Sequence, residues 1–389
     1  MGGATENDNA MIWFLNRCDG GDVLVIRASG SDGYNDYLYQ DLNVTVNSVE
    51  SIVFNDTQAS LDPYIQQKIT QAEGIWIAGG DQWDYVSFWR DTPIDSLIND
   101  AIVNRNIVIG GTSAGMAVLG GFYFTAENGT VTSAEALANP YNTRVRVDSS
   151  AFLKAPFLHD INTDTHYDNP DRRGRQAVFL ARIMTDYGIE AKGIACGEYT
   201  AMCIPPDGIA SVYGNSNHKA YFIQTNCELT DRLPETCSAG IPLTWNRNMS
   251  ALKVYRVSGT NSGLNNFNLN DWETGSGGHW ENWYIENGVL YSSPGEKINC
   301  SGLTAPETGM HDELQLFPNP TSGILQIEGM EYVAGEINIF DMSGNQVHIS
   351  APEIRTTLPI DVSELRQGLY YIEIRTDNDP VKRLKFIKI

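Results

Sequence analysis

The run Gly111-Thr112-Ser113-Ala114-Gly115 follows one short apolar segment and leads into another. The preceding segment, 106–110, predicts a buried strand, and the following segment, 116–119, predicts the start of a helix. A Gly-x-Ser-x-Gly run between a strand and a helix is typical of a nucleophile elbow, in which a tight turn exposes the serine hydroxyl. The sequence therefore predicts Ser113 as a catalytic nucleophile in an α/β fold.

A serine nucleophile needs a general base, and we expect His166 to be that base among the six histidines of the chain. His166 lies in an Asp-rich loop that leads into three arginines and an apolar helix. Farther along, Gly193–Glu198 predicts a buried strand that ends in a carboxylate, a usual place for the acid that orients a catalytic imidazole. The alternative for Glu198 is a carboxylate that caps a turn. The other histidines are His159, His218, His279, His311 and His348.

The order of these residues along the chain separates two hydrolase folds. An α/β-hydrolase carries its nucleophile, acid and histidine in that order, which would place the base at His218 or His279, in Gly-, Asn- and Ser-rich segments. The order Ser113, His166, Glu198 instead fits a flavodoxin-like, doubly wound and mostly parallel sheet with the elbow on an early strand. We therefore expect the flavodoxin-like α/β fold.

Four short motifs occur in order within the first 215 residues. They are Gly79-Gly80-Asp81-Gln82, the elbow around Ser113, Asp164-Thr165-His166-Tyr167 with Arg172 and Arg175 after it, and Gly197-Glu198-Tyr199-Thr200-Ala201. Together they resemble the motifs of the cyanophycinase branch of the S51 serine peptidases, whose fold is similar to that of class I glutamine amidotransferases. The resemblance covers most of residues 1–215.

The resemblance implies a role for each of these residues. Ser113 would be the nucleophile, His166 the base and Glu198 the acid that orients it. The side chains implied to line the substrate site are Gln82, Asp164 and Thr165, and those implied to bind a substrate carboxylate are Arg172 and Arg175. Taken from the residues alone, such an arginine run also fits the solvated face of a helix. Thr165 and Tyr167 stand where cyanophycinases usually carry Gln and Phe.

The segment Gly74–Gly80 is apolar and ends in two glycines, which predicts a strand whose end lets backbone approach a ligand closely. The N–H of Gly80 or Asp81, together with the N–H of Ala114, would form a two-donor oxyanion hole. Gln82 lies just beyond, where it would either hydrogen-bond substrate or belong to the cap of the next helix.

Composition excludes several classes of partner. The formal net charge of −22 and the pI near 4.5 argue against nucleic acid and against an anionic membrane surface. No run of 18 apolar residues is present, so we expect no membrane span. The cysteines and histidines show no metal-ligand spacing, and we expect neither a metal nor a cofactor. The six cysteines permit disulfides, of which Cys227 with Cys237 could close a polar loop.

The amino terminus begins in a glycine-rich turn, Met1–Ala4, with no strand ahead of it and no charged-then-apolar signal segment. We expect that a signal peptide and a first sheet strand precede this turn in the full protein.

The character of the chain changes after about Gly302. We expect a peptidase domain over 1–302, with a β-rich extension at 216–300, and a linker over 303–312. Short alternating segments over 313–389 predict a small immunoglobulin-like β-sandwich. The expected strands are Gly323–Glu328, Glu336–Phe340, Gln346–Ser350, Leu358–Val362, Leu369–Arg375 and Leu384–Ile389, with a turn at Met342-Ser343-Gly344-Asn345.

This tail resembles the C-terminal sorting domain of type IX secretion, through its runs Leu314–Thr321, Asp341–Gly344 and Gly368–Ile372. The alternative is an immunoglobulin-like module that binds carbohydrate or protein. The resemblance implies that the secretion machinery is a partner and that the protein travels through the periplasm to the cell surface or the medium.

We therefore expect a secreted serine-type exopeptidase that hydrolyses a peptide or isopeptide bond next to aspartate. By resemblance the substrate is cyanophycin, a polyaspartate with arginine on its side chains, or an aspartyl peptide. The sequence leaves open whether the protein forms a homodimer. The alternative from another class is a catalytically inactive secreted binding protein that keeps the fold.

Overall fold

The computed structural model describes residues 1–148, 152–190 and 192–300, and in the tail residues 315–317, 319, 321, 323–328, 335–341, 346–350, 357–376 and 382–388. The chain divides into two compact units, Met1–Leu303 and Thr304–Ile389.

Polar caps and prolines set where the helices of the first unit begin. Asp62 and Thr92 each accept a hydrogen bond from the backbone two residues on, and each is followed by a proline at the first helical position. Asp81 caps its helix in the same way through the N–H of Trp83. The helices are α1 Asp8–Leu15, α2 Tyr34–Asp36, α3 Pro63–Gln71, α4 Gln82–Trp89, α5 Pro93–Val103, α6 Ala114–Ala117, α7 Ser133–Ala138 and α8 Arg173–Tyr187.

The amino-terminal sheet is parallel throughout and has the order β2-β1-β3-β4. Its strands are β1 Asp22–Arg27, β2 Ser48–Val53, β3 Gly74–Ile77 and β4 Val108–Gly111. Because all four strands run the same way, their carboxyl ends meet at one edge, which is where ligands bind in open α/β sheets.

Both faces of this sheet are covered, as a doubly wound fold requires. On one face, alternate residues of β1 and β3 pack with helices α3 to α5 around Trp89. On the other face, Val25 and Trp76 pack against Phe14 of α1. The expected α/β architecture is confirmed.

A second sheet has the order β16-β15-β12-β11-β8-β7, in which β7 and β8 are parallel and the other pairs antiparallel. A third sheet has the order β14-β13-β10-β9. The strands are β5 Tyr123–Phe124, β6 Val147–Asp148, β7 Ile161–Asp164, β8 Lys192–Cys196, β9 Ala201–Cys203, β10 Ile209–Tyr213, β11 Lys219–Thr225, β12 Leu252–Ser258, β13 Asn265–Asn268, β14 Gly275–Ser276, β15 Gly278–Glu286 and β16 Val289–Pro294. The segment 216–300 is thus β-rich, and its antiparallel strands extend the parallel pair β7–β8.

The disulfide differs from the expected pairing. Cys227 bonds Cys300, 73 residues away, and Cys237 is a free, half-buried thiol. Cys237 instead packs against the hydrophobic cluster that includes α8. The pairing of Cys227 with Cys237 was therefore wrong.

The tail unit contains two antiparallel sheets, of order β17-β18-β21 and β20-β19-β22-β23. Its strands are β17 Gln315–Phe317, β18 Ile324–Glu328, β19 Gly335–Asp341, β20 Gln346–Ser350, β21 Thr357–Asp361, β22 Gly368–Thr376 and β23 Lys382–Lys388. Buried residues from both sheets, including Leu325, Ile339 and Phe386, share one core. The expected β-sandwich is confirmed, while the linker 303–312 and the turn 342–345 lie outside the described residues.

Within the described ranges, none of the helices combines the length and the hydrophobicity that a membrane crossing requires.

Candidate active site

The elbow holds Ser113 in a backbone conformation that few residues adopt, with φ 52° and ψ −118°. The glycines on either side allow the turn to press onto the sheet. A methyl group on Gly115 would lie 2.1 Å from the carbonyl oxygen of Ile77, and one on Gly111 would lie 2.5 Å from the carbonyl carbon of Gly115. Only glycine fits both positions without a shift of the neighbouring backbone, so the two glycines allow this turn.

Three side chains form a continuous hydrogen-bonded relay at this edge. Ser113 Oγ lies 2.8 Å from His166 Nε2, and His166 Nδ1 lies 2.9 Å from Glu198 Oε1. The three residues each stand two positions past the end of a strand, namely β4, β7 and β8. The structure thus brings together a serine, an imidazole and a carboxylate that are far apart in the chain, in the spacing of a serine-hydrolase triad.

The carboxylate of Glu198 is itself held in place. Asn169 Nδ2 donates to Glu198 Oε2 at 3.3 Å, and Asp168 Oδ1 accepts from the backbone N–H of Glu198 at 3.2 Å. The hydrogen bond from His166 is the main cause that keeps the pKa of Glu198 below its usual value, with partial burial acting in the opposite direction. The sequence analysis did not single out Asp168, the last residue of the Asp-rich loop that pointed to His166, or Asn169, which follows it.

The first three residues of the chain support both members of the Ser–His pair through their backbone. Ser113 N–H donates to the carbonyl of Met1 at 3.1 Å, and His166 N–H donates to the carbonyl of Gly2 at 2.7 Å. Gly3, with φ +106°, lies directly against the imidazole, since a methyl group there would come within 2.3 Å of the His166 ring. This contact carries no sequence motif that could have revealed it.

The two glycines after β3 lie beside the nucleophile. A methyl group on Gly79 would come within 3.5 Å of Ser113 Cβ. Gly80 follows at the exposed rim, and Ala114 opens helix α6 directly after the serine. The Asp81 carboxylate accepts the Trp83 N–H of α4 at 2.9 Å, so this side chain acts as a helix cap.

Thr165 and Arg172 lie beside His166, and Gln82 follows the two glycines after β3 in the chain. Gln82 is half-buried, and its Nε2 donates weakly to the Phe124 carbonyl at 3.4 Å. Thr165 is buried next to His166, and its carbonyl accepts from Arg172 Nη1 at 3.0 Å. The Arg172 side chain makes no ion pair with any described carboxylate, and burial lowers its pKa. It is a partly desolvated cation near the triad.

Asp164 and Arg175 do not line an open site, which corrects the roles that the resemblance implied. Each side chain is 4% exposed, and the two form a forked ion pair, Nε to Oδ2 at 2.8 Å and Nη2 to Oδ1. Arg175 Nη1 also donates to the Val131 carbonyl at 3.3 Å. The N–H donors of Arg175 are directed at protein atoms, so this side chain anchors α8 to β7. Its guanidinium has no pair of donors free for a substrate carboxylate.

Comparison with known proteins confirms the resemblance that the motifs indicated. Residues 28–209 match peptidase family S51, and residues 315–388 match the secretion system C-terminal sorting domain. A cyanophycinase from Synechococcus elongatus is 25% identical over 184 residues, 46% of this chain and 52% of that protein. A cyanophycinase from Trichormus variabilis is 24% identical over 196 residues, 50% of this chain and 59% of that protein.

The chain therefore spans about half the length of the curated relatives it matches. Among solved structures, a peptidase from an acI-B1 Actinobacterium is similar, with a TM-score of 0.38 and 13% identity. That similarity covers 55% of this chain and 82% of the other.

Proposed function

We propose that the unit Met1–Leu303 is a serine-type exopeptidase that hydrolyses a peptide or isopeptide bond next to aspartate through an acyl-enzyme. The observation that carries this proposal is the relay from Ser113 Oγ through the His166 ring to Glu198 Oε1, with links of 2.8 and 2.9 Å. Both links are within hydrogen-bonding reach, and the serine stands on an elbow that exposes its hydroxyl.

In the first half of the reaction, Ser113 Oγ attacks the scissile carbonyl carbon while its proton passes to His166 Nε2. The Nδ1–H of His166 donates to Glu198, which fixes the tautomer and stabilises the imidazolium. The negative charge moves to the carbonyl oxygen, where the N–H groups of Gly80 and Ala114 are the proposed donors. Collapse of this intermediate breaks the C–N bond, and the leaving amine takes the proton from Nε2.

In the second half, water attacks the ester carbonyl of the acylated serine. His166 Nε2 accepts a proton from that water, and the same donors bind the oxyanion. When the C–O bond to Ser113 breaks, the proton returns to Oγ and the carboxylic acid product leaves.

Arg172 is the proposed anchor for the substrate carboxylate. A guanidinium forks onto a carboxylate with two parallel hydrogen bonds, and the partial burial of Arg172 strengthens such a pair. Gln82 would bind the peptide on the same side. This arrangement suits an aspartate residue next to the cleaved bond, as in the cyanophycin or aspartyl peptides that the resemblance to cyanophycinases suggests.

We further propose that the tail, 313–389, directs the protein through the periplasm to the cell surface or the medium by way of type IX machinery. The family match over residues 315–388 supports this role.

The test compares hydrolysis of cyanophycin with hydrolysis of plain aspartyl dipeptides, with products identified by mass. Ser113→Ala should lower kcat by about 10⁴-fold or more, as for other triad nucleophiles, while leaving the thermal unfolding midpoint nearly unchanged. A fluorophosphonate probe should label the parent protein and not the variant. Absence of labelling and of hydrolysis in the parent would favour an inactive binding protein, and unchanged activity in Ser113→Ala would remove the assignment.

A further inference from the structure

A second histidine lies close to the acid of the relay. His218 directly precedes β11, and the antiparallel pairing of β11 with β8 sets its position. This pairing continues through the bond from Gly197 N–H to the Lys219 carbonyl at 2.9 Å, so His218 stands opposite Glu198 in the same register. Gly259 N–H also donates to the His218 carbonyl, at 3.3 Å. Strand register therefore brings this histidine next to the acid.

The ring of His218 contacts Asp168 and Tyr199. Its Nδ1 lies 3.6 Å from Asp168 Oδ2, which is within ion-pair distance but longer than a hydrogen bond. The ring centroid lies 5.2 Å from that of Tyr199, at an interplanar angle of 58°. His218 Nδ1 is buried and makes no hydrogen bond within the described ranges. The Asp168 carboxylate is thus the charged group that this nitrogen meets.

Asp168 connects His218 to the backbone of the acid. One carboxylate oxygen, Oδ1, accepts the N–H of Glu198 at 3.2 Å, while Oδ2 is the oxygen next to His218. A methyl group on Gly197 would lie 2.7 Å from both oxygens, so a residue larger than glycine would displace the carboxylate. The carboxylate therefore packs directly on the peptide that leads into Glu198.

The turn that presents Glu198 to His166 needs this support. Tyr199, the residue after the acid, has φ 58°, in the left-handed region that residues with a side chain rarely adopt. Such a conformation costs about 1–3 kcal/mol and persists only where the surrounding contacts hold it. Asp168 holds the amide of Glu198, and the His218 ring packs on Tyr199, so the pair contacts both residues of this turn.

We propose that Asp168 and His218 are positioning residues that hold the turn 197–199 and, through it, the carboxylate that orients His166. This inference rests on the proposed peptidase relay, in which Glu198 has its role. Neither side chain reaches the reacting atoms, so both act on the chemical step through the orientation of the His166 ring. His218, which the other chain order would have made the base, supports the acid instead.

The experiment uses two variants at each position of the full chain. Asp168→Ala removes the acceptor of the Glu198 N–H, whereas Asp168→Asn keeps an oxygen there without the charge. His218→Leu removes the ring nitrogen, whereas His218→Asn keeps a nitrogen donor near the place of Nδ1. His279→Leu is the matched control, because His279 also lies next to a carboxylate, that of Glu281 at 3.2 Å on β15.

Asp168→Ala should lower kcat about 10- to 100-fold with KM within about threefold of the parent value, because a misplaced catalytic group slows the chemical step more than it weakens binding. Asp168→Asn should recover most of that loss. His218→Leu should lower kcat about tenfold, His218→Asn should recover most of it, and His279→Leu should match the parent. Calorimetry first checks that each variant is folded at the assay temperature.

Proton NMR gives a readout that requires no hydrolysis. The His166 Nδ1–H proton bonded to Glu198 should give a resonance far downfield in the parent, in Asp168→Asn and in His279→Leu. In Asp168→Ala this resonance should broaden or move upfield, because the carboxylate is no longer held against the ring.

A downfield resonance and a kcat that both stay at the parent values in Asp168→Ala would overturn the proposal. Equal losses of kcat in Asp168→Ala and Asp168→Asn would also overturn it, because the acceptor for the Glu198 N–H would then have no effect. A parent-like kcat in His218→Leu would remove His218 from the role. A parent that neither hydrolyses peptide nor reacts with a fluorophosphonate would overturn the peptidase assignment instead, and the NMR comparison would still decide whether Asp168 positions the acid.

Discussion

Arg175→Met is expected to destabilise the protein strongly while leaving substrate binding almost unchanged. Methionine roughly keeps the length of the side chain and removes all of its donors. Asp164 would then remain as an unpaired charge in a site where only 4% of its side chain is exposed. The end of β7 and the first turn of α8 would lose the ion pair that joins them.

Breaking one partner of a buried ion pair typically costs about 3–5 kcal/mol, mainly because the remaining charge lacks a partner. The lost hydrogen bonds to Val131 and Thr130 act in the same direction. Since about 1 kcal/mol shifts the midpoint of a 150–250-residue domain by 2–4 °C, we expect a decrease of about 10 °C for Arg175→Met. At 20 °C, where the variant is still folded, KM should stay within about threefold of the parent value.

Arg172→Met is the matched control, because it removes a guanidinium three residues away that has no carboxylate partner among the described residues. Its midpoint should fall by only the cost of one hydrogen bond, about 1 kcal/mol, and KM should rise about tenfold or more. Calorimetry of both variants, with initial rates at 20 °C, checks the contrast. An unchanged midpoint for Arg175→Met together with a raised KM would refute the structural role assigned to this pair.

Three more outcomes are expected. His166→Ala should lower activity nearly as much as the loss of the nucleophile does. His159→Ala should stay within a few-fold of the parent rate, because the His159 side chain is 83% exposed. Reversed results would mean that the base is misassigned. Changing Cys227 and Cys300 together to serine should lower the free energy of unfolding by up to about 4 kcal/mol, given a loop of 73 residues, and an unchanged denaturation midpoint would contradict that value. A chain that ends at residue 301 should hydrolyse substrate at nearly the rate of the full chain. The segment 313–389, fused behind a signal peptide and a reporter, should carry that reporter across the outer membrane of a host with type IX secretion. Retention of the reporter in the periplasm would instead favour a binding module.

The sequence predicted the elbow and the strand ahead of Glu198, because these features depend on local signals. It did not predict β7, the strand Ile161–Asp164 before His166, since residues 160–168 were expected to form an Asp-rich loop. Apolar runs mark β3 and β4, and a Gly-x-Ser-x-Gly run after such a strand is typical of a nucleophile elbow. Ser113 follows β4 of the amino-terminal sheet, whereas His166 and Glu198 follow β7 and β8, which are parallel neighbours in the second sheet. The relay therefore joins the ends of strands from two sheets. The hydrogen bond between His166 and Glu198, at 2.9 Å, depends on the pairing of β7 with β8, which local signals in the sequence do not report.

Contacts between distant parts of the chain could not be predicted from the sequence in this way. The closure of Cys227 onto Cys300 was missed because loop-closure entropy rises only slowly with length, so a short spacing gives little preference for Cys237. The support of the triad by Met1–Gly3 comes from backbone groups, which no side-chain pattern reports.

Arg172 and Arg175 lie in different environments, although the resemblance to cyanophycinases implied the same role for both. In one continuous helix, residues three apart lie on the same face, and both arginines would reach the same site. Helix α8 begins at Arg173, however, and Arg172 has φ −104° and ψ 3°, outside the helical range. The helix therefore directs Arg175 inward to Asp164, while Arg172, which precedes the helix, donates to the Thr165 carbonyl beside His166. The start of α8 at Arg173 thus decides which of the two arginine side chains is free to bind a substrate.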